Sequence, residues 1–298
     1  MRQARLQNLL TALAVPFLLE GCSGAILSPA GPVGNAERTI LLNSLAIMLA
    51  IVIPTILATL AFAWWFRATN KRARHLPDWA YSGRIELIVW SIPALVVFFL
   101  GGIAWLGSHD LDPARPLSSS GQPLEVDVVS LDWKWLFIYP DQGVASVNQL
   151  VAPVGVPLHL RITSATVLNV FFVPRLGSEI YAMNGMASQL NLQADEPGVF
   201  PGLAAHFSGD GFSDMNFEMH ALPAADFTAW TTATRTTGPE LDEASYRTLL
   251  RQTENVKPYT YRAVQAGLFD AILLQKLPPG AGPRTGRPNA SVSPTREK

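Results

Sequence analysis

The chain has 298 residues, of which 49% are hydrophobic and 15% charged, with a formal charge of −1 and a mean hydropathy of +0.21. Soluble domains carry about 25% charged residues, so an ordinary cytosolic enzyme is excluded, and the near-zero charge gives no electrostatic footprint for nucleic acid. The single cysteine, Cys22, excludes a disulfide framework and any intrachain metal site that needs two thiolates.

Residues 1–21 have the pattern of an export signal. Arg2 and Arg5 precede an apolar run from Leu9 to Leu19 that is too short to span a bilayer. The Leu19-Glu20-Gly21-Cys22 ending resembles a bacterial lipoprotein signal, which implies that Cys22 becomes the first mature residue and is acylated on sulfur. Glu20 departs from the small or apolar residue usual at that place. Residues 22–38, with Ser28-Pro29-Ala30-Gly31-Pro32, read as a flexible tether.

Residues 39–66 and 87–108 contain no Asp, Glu, Lys or Arg. Each is long enough to cross a hydrocarbon core of about 30 Å, giving transmembrane segments at 39–66 and 85–108. The loop between them, 67–84, carries Arg67, Lys71, Arg72, Arg74 and Arg84 against Asp78, so it stays cytoplasmic and residues 109–298 lie outside. Glu86 stands just inside the cytoplasmic end of the second segment. It reads either as an interfacial carboxylate that snorkels or pairs with Arg84, or as a proton-accepting group facing a partner subunit. Gly101-Gly102 suggests a helix-packing surface.

Residues 109–223 read as β. Leu124–Val129 alternates apolar and polar residues, Leu131–Tyr139 is aromatic and β-branched up to Pro140, Val156–Thr163 alternates, and Val167–Val173 ends at Pro174. Leu190–Leu192 and Met215–Met219 alternate again, with glycine turns at 198, 202, 209 and 211. Short strands at this spacing predict a sandwich or barrel. Residues 224–277 read as helical, with helices over Leu241–Thr253 and Val264–Leu274, and 278–298 as a disordered tail. His159, His206 and His220 lack ligand spacing and read as strand or surface histidines. No nucleophile elbow or phosphate loop frames any residue of this region.

Four strings carry a resemblance: R-I-E-L-I-V-W-S-I-P (84–93), D-W-K-W-L-F-I-Y-P (132–140), V-L-N-V-F-F-V-P-R-L-G-S-E-I-Y-A-M-N-G-M (167–186) and F-S-G-D-G-F-S-D-M-N-F (207–217). With the order of lipoprotein signal, two spans and β domain, they resemble subunit II of the haem–copper respiratory oxidases, in the ubiquinol oxidase branch of the cytochrome bo/ba type. The resemblance implies a membrane protein of mixed α and β structure: a two-helix transmembrane hairpin bearing a periplasmic cupredoxin-like Greek-key sandwich with C-terminal helices. It implies haems and copper in subunit I, with subunits III and IV as further partners, in the inner membrane. The copper-bearing branch places ligands where this chain has Asn169, Phe207, Gly211 and Met215, so the dicopper centre and its use of cytochrome c are not expected here. The resemblance gives Glu86 a role at the entrance of a proton path and leaves Trp133 and Trp135 a packing role. The competing reading is a free-standing membrane lipoprotein acting as a periplasmic binding or assembly module.

Overall fold

The computed structural model describes residues 25–74, 76–117, 121–280 and 295–296. Cys22, the export signal and most of the tail lie outside them. Two compact units are present, one built from residues 1–35 and 116–298, the other from 36–115.

The smaller unit is apolar. Its helices belong to the segments Pro32–Trp65 and Gly83–Asp110, of 34 and 28 residues. At 1.5 Å per residue they reach about 51 and 42 Å, enough to cross a bilayer. The first helix begins seven residues before the expected 39, with Pro32 at the first helical position, where its missing N–H costs nothing. Its end is capped by side chains: Arg67 Nη1 donates to the Trp64 carbonyl (3.0 Å) and Asn70 Nδ2 to that of Trp65 (2.6 Å). Pro54 interrupts the ladder inside this helix, and the Thr55 and Thr59 hydroxyls donate back to the carbonyls of Ile51 and Thr55. Gly107 of the second helix lies beside Ile40, and an added Cβ there would come within 2.8 Å of its Cδ1.

The larger unit is a two-sheet sandwich with a third layer. Its strands are β1 (Leu124–Leu131), β2 (Lys134–Tyr139), β3 (Val144–Val147), β4 (Gln149–Pro153), β5 (Leu158–Ser164), β6 (Asn169–Phe172), β7 (Ile180–Ala182), β8 (Ser188–Leu192), β9 (Gly198–Ala204), β10 (Asn216–Leu222), β11 (Glu240–Leu241), β12 (Thr253–Glu254), β13 (Tyr259–Tyr261) and β14 (Ala263–Val264). One sheet has the order β13-β3-β2-β1-β5-β8 and the other β4-β10-β9-β6-β7. The β1/β5 and β4/β10 pairs are parallel, as the crossing connections of a Greek key require. Between the sheets Trp135, Phe137, Phe171 and Phe217 pack as one aromatic group. Phe171 and Phe217 stack at 5.0 Å, and Trp135 meets Phe171 edge-on at 5.4 Å. Such pairs add about 0.5–1.5 kcal/mol each to the burial itself.

The outer face of β1–β3 is buried as well. Val129, Leu131, Leu136, Ile138 and Val147 pack against Leu241, Tyr246, Leu249, Tyr261, Phe269 and Ile272. Burial on both faces explains why Trp135–Tyr139 is an unbroken apolar run instead of an alternating one. The C-terminal region is less helical than its periodicity suggests. Helices Ala224–Thr236, Glu243–Leu249 and Leu268–Leu273 alternate with β11–β14, so both expected later helices are shorter. The tail contributes the two-residue strand β15 (Thr295–Arg296), which pairs with β12.

Two expectations are corrected. Leu131–Tyr139 is not one strand: β1 turns into β2 at Asp132-Trp133, with Ser130 opposite Trp135. Residues 28–35 are not a free tether. Ala30 N donates to the Arg175 carbonyl, Asp195 N to that of Ala30 (both 2.8 Å), and Gly34 N to that of Leu176 (3.0 Å), while Ala30 and Val33 are buried.

Candidate functional site

The loop after β9 folds back over the start of β6 and brings Asn169, Ser208 and Met215 together. All three are buried. Asn169 Nδ2 donates to the Met215 sulfur at 3.0 Å and to Ser208 Oγ at 3.4 Å, and its Oδ1 accepts from Val170 N at 2.8 Å. The amide therefore uses both ends inside the protein, which removes the cost of burying it. Trp133 closes the cluster from below. Its Nε1 donates to the Ser208 carbonyl at 3.1 Å, and its ring lies under Gly211, where an added Cβ would come within 2.5 Å of Cδ2. Trp133 holds φ at 65°, a left-handed conformation that costs an ordinary residue about 1–2 kcal/mol. The tight β1–β2 turn demands it, and burial of the indole offsets it.

Of the four positions matched to copper ligands, the structure joins Asn169 and Met215. Phe207 points outward, 70% exposed, against Phe212 at 5.6 Å, and Gly211 offers no side chain. Ser208, beside Phe207, supplies the third polar group, and nothing in its sequence surroundings marks it. An amide, a hydroxyl and a thioether in mutual hydrogen bonds do not fit a two-thiolate copper centre, and no cysteine is available within the domain. The histidines stand apart. His159 bonds Glu125 at 2.6 Å, His220 bonds Glu218 at 2.8 Å, and His206 lies against the Phe207 carbonyl. No group of three or more potential metal ligands forms among the described residues.

Glu86 occupies the first turn of the Gly83–Asp110 helix. Its Oε2 accepts from Trp90 Nε1 at 3.1 Å. Among the described residues this indole, not the Arg84 guanidinium, is its side-chain partner.

A third polar locus lies on the outer face of β1 and β5. Asp127, almost fully buried, forms a two-point pair with Arg161 at 2.7 and 3.1 Å. Arg161 also lies over the Phe269 ring at 4.6 Å. A cavity of about 240 Å³ beside this pair is lined by Tyr139, Gln265, Gly267 and Asp270. Burial pushes the Asp127 carboxyl above its ordinary value although Arg161 pulls it down. Burial also raises the Tyr139 phenol, whose O–H donates to the Val151 carbonyl while its oxygen accepts from the Val151 N–H. This locus fastens layers together and has the features of structural support.

Residues 141–222 match the model of the cytochrome c oxidase subunit II periplasmic domain, and residues 235–280 match the COX aromatic-rich motif. The second match is the segment that covers the outer face of β1–β3. The chain is 47% identical over 274 residues to ubiquinol oxidase subunit 2 of Acetobacter aceti, covering 91% of this chain and 88% of that protein. It is 45% identical over 262 residues to cytochrome bo(3) ubiquinol oxidase subunit 2 of Pseudomonas aeruginosa, covering 88% and 79%. The crystal structure of the periplasmic domain of cytochrome oxidase subunit II from Bradyrhizobium japonicum aligns at 22% identity with a TM-score of 0.37, over 40% of this chain and 96% of that one. The two apolar helices, the cupredoxin-like sandwich and the sequence identities lead to one conclusion: the chain belongs to the quinol oxidase subunit 2 family.

Proposed function

We propose that this chain is the non-catalytic second subunit of a proton-translocating ubiquinol oxidase of the aerobic respiratory chain. The complex would oxidise ubiquinol and reduce oxygen, with haems and copper held by subunit I. Subunits III and IV would complete the assembly. The observation that supports the reading is the Asn169–Ser208–Met215 cluster, whose buried polar groups are satisfied by one another and include two of the positions that the resemblance pairs with copper ligands. A subunit so built passes no electrons from a soluble cytochrome c. A membrane quinol that delivers directly to subunit I has no need of such a relay.

Three finer roles belong to this reading. The chain lies in the inner membrane with its β domain in the periplasm, as the basic 67–84 loop requires. Cys22 bears the lipid of a processed lipoprotein. Glu86 collects protons at the cytoplasmic mouth of a path into subunit I, a role supported by its place in the first helical turn, immediately before the uncharged stretch 87–108. Gly101 and Gly102, where added Cβ atoms would meet nothing within 4 Å, suit close approach of a partner helix.

The test is oxygen consumption by the tagged, detergent-purified complex, with ubiquinol and reduced cytochrome c offered separately and the haem spectrum recorded on the same sample. Oxidation of ubiquinol but not cytochrome c is the expected result. A haem-free single chain under mild extraction would overturn it in favour of a solitary lipoprotein. Glu86→Gln in the same complex should assemble normally and slow turnover; wild-type turnover would remove the proton-entry role.

A further inference from the structure

Glu86, Val89, Trp90 and Pro93 fall on one face of the second helix, at the i, i+3, i+4 and i+7 spacing. Two polar features and an exposed aromatic ring share this face. Trp90 donates its indole N–H to one carboxylate oxygen of Glu86 at 3.1 Å. Pro93 has no N–H for the Val89 carbonyl four residues back, so that acceptor is released from the helix ladder one turn above the acid. The Trp90 ring is 73% exposed and lies over the same face.

Indole nitrogen donates and cannot accept. Trp90 can therefore hold the carboxylate but cannot take its proton. With Oε2 held, the side chain has fewer rotamers open to it, and Oε1 keeps a defined direction. Arg84, two residues before Glu86, does not share this face, since residues two apart on a helix point away from each other.

We propose that Trp90 is a positioning residue for proton uptake, fixing the Glu86 carboxylate through Oε2 so that Oε1 faces the entering proton and the acceptor face of the helix. The proposal rests on the proton-entry reading of Glu86. It assigns the indole N–H a role in turnover that the bulk of the ring alone would not fill.

The experiment compares Trp90→Phe, Trp90→Gln, Glu86→Gln and the Glu86→Gln/Trp90→Phe double variant, each in the assembled oxidase. Ubiquinol-driven oxygen consumption gives kcat and KM. Trp90→Phe keeps an aromatic ring and removes the donor. It should lower kcat by about tenfold, the size of one hydrogen bond to a charged group, with KM for quinol unchanged. Trp90→Gln restores an N–H at i+4 and should recover much of that loss. The double variant should be no slower than Glu86→Gln alone, because both changes act on one carboxylate. Wild-type kcat in Trp90→Phe, no recovery in Trp90→Gln, or losses that multiply in the double variant would each overturn the proposal. If Glu86→Gln itself turns over at the wild-type rate, the proton-entry reading fails, and this one with it. If Glu86→Gln is slow and Trp90→Phe is not, the positioning role alone fails. Should Trp90→Phe not assemble, Trp90→Leu against Trp90→Gln makes the same comparison.

Discussion

Asn169 and Met215, 46 residues apart in sequence, meet through an N–H···S contact of 3.0 Å. The contact joins β6 to the loop that precedes β10 inside the buried core. Asn169→Leu keeps the volume but leaves Ser208 and Met215 without their shared donor. A buried polar group stripped of its partner costs about 1–3 kcal/mol. The purified complex should melt earlier and yet oxidise quinol at an unchanged rate. A fall in quinol turnover without a change in melting would show that this cluster serves electron transfer after all.

Gly211 is required by the same architecture. Gly211→Ala would place a Cβ 2.5 Å from the Trp133 ring, and the indole cannot retreat while its Nε1 holds the Ser208 carbonyl. Overpacking of this kind costs about 1–3 kcal/mol. The expected outcome is a lower yield of assembled complex and altered tryptophan fluorescence. Gly121→Ala, where an added Cβ would meet no atom of the described residues within 4 Å, should leave the fluorescence unchanged.

Lys134 is charged and almost wholly buried, and it anchors the C-terminal layer. Its Nζ donates to the Arg251 carbonyl at 2.7 Å and to the Thr253 hydroxyl, while Gln252 bonds Asp132 at 3.0 Å. Lys134→Met preserves the stem and deletes the donors, at a cost of about 1.5–3 kcal/mol for a charged hydrogen bond. The weakening should be local. Amide exchange across residues 250–262 should accelerate, with exchange in β9 and β10 unchanged. Uniform acceleration would mean that the layer is not separately fastened.

Two carboxylates make opposite pH predictions. Burial raises Asp127 above its ordinary value of 3.8, so the folded state holds that proton more tightly than the unfolded chain does. Its contribution to stability is largest below the ordinary value and is lost as pH rises through the raised one. Asp242 is lowered from 3.8 because its carboxylate accepts from Ser245 N at the start of the Glu243–Leu249 helix. Its contribution is present above the ordinary value and is lost as pH falls through the lowered one. Relative to Asp127→Asn, the wild type should gain stability on acidification. Relative to Asp242→Asn, it should lose stability. Melting of both variants across the acid range decides the signs.

What the sequence disclosed follows the reach of its signals. The two spans were legible because a run of twenty uncharged residues has few other uses, and β1, β5, β6 and β10 because their alternation or bounding prolines are local. The β1–β2 turn was hidden, since Asp132-Trp133 contains no glycine and its left-handed residue is a tryptophan held by Ser208, 75 positions away. β9 was obscured by Gly198, Pro201 and Gly202. The last is glycine because Phe217 on β10 lies across it, where a Cβ would come within 2.1 Å of the ring. Within the site, Asn169 and Met215 could be placed by resemblance. Ser208 could not, because its role comes from a fold-back that leaves no local pattern.

The segment before the first helix gives the last prediction. Gly31 lies against the Gln193 carbonyl, where an added Cβ would come within 2.0 Å of the oxygen, and its neighbours Ala30 and Gly34 bond Arg175, Asp195 and Leu176. Arg175 also donates from Nε to the Ser28 carbonyl at 2.9 Å. The Pro/Gly content that suggests a loose tether instead lets the backbone approach a strand end closely. Gly31→Val should therefore expel residues 28–34 from the β domain. Three backbone–backbone hydrogen bonds and one from the Arg175 side chain, at about 0.5–1.5 kcal/mol each, are at stake, so the loss should exceed that of any exposed tether substitution. Amide exchange at Ala30, Gly34 and Asp195 should rise together in this variant, while Gly121→Val, where an added Cβ would meet no atom of the described residues within 4 Å, leaves them protected. Unchanged protection in Gly31→Val would return the segment to the role of a tether.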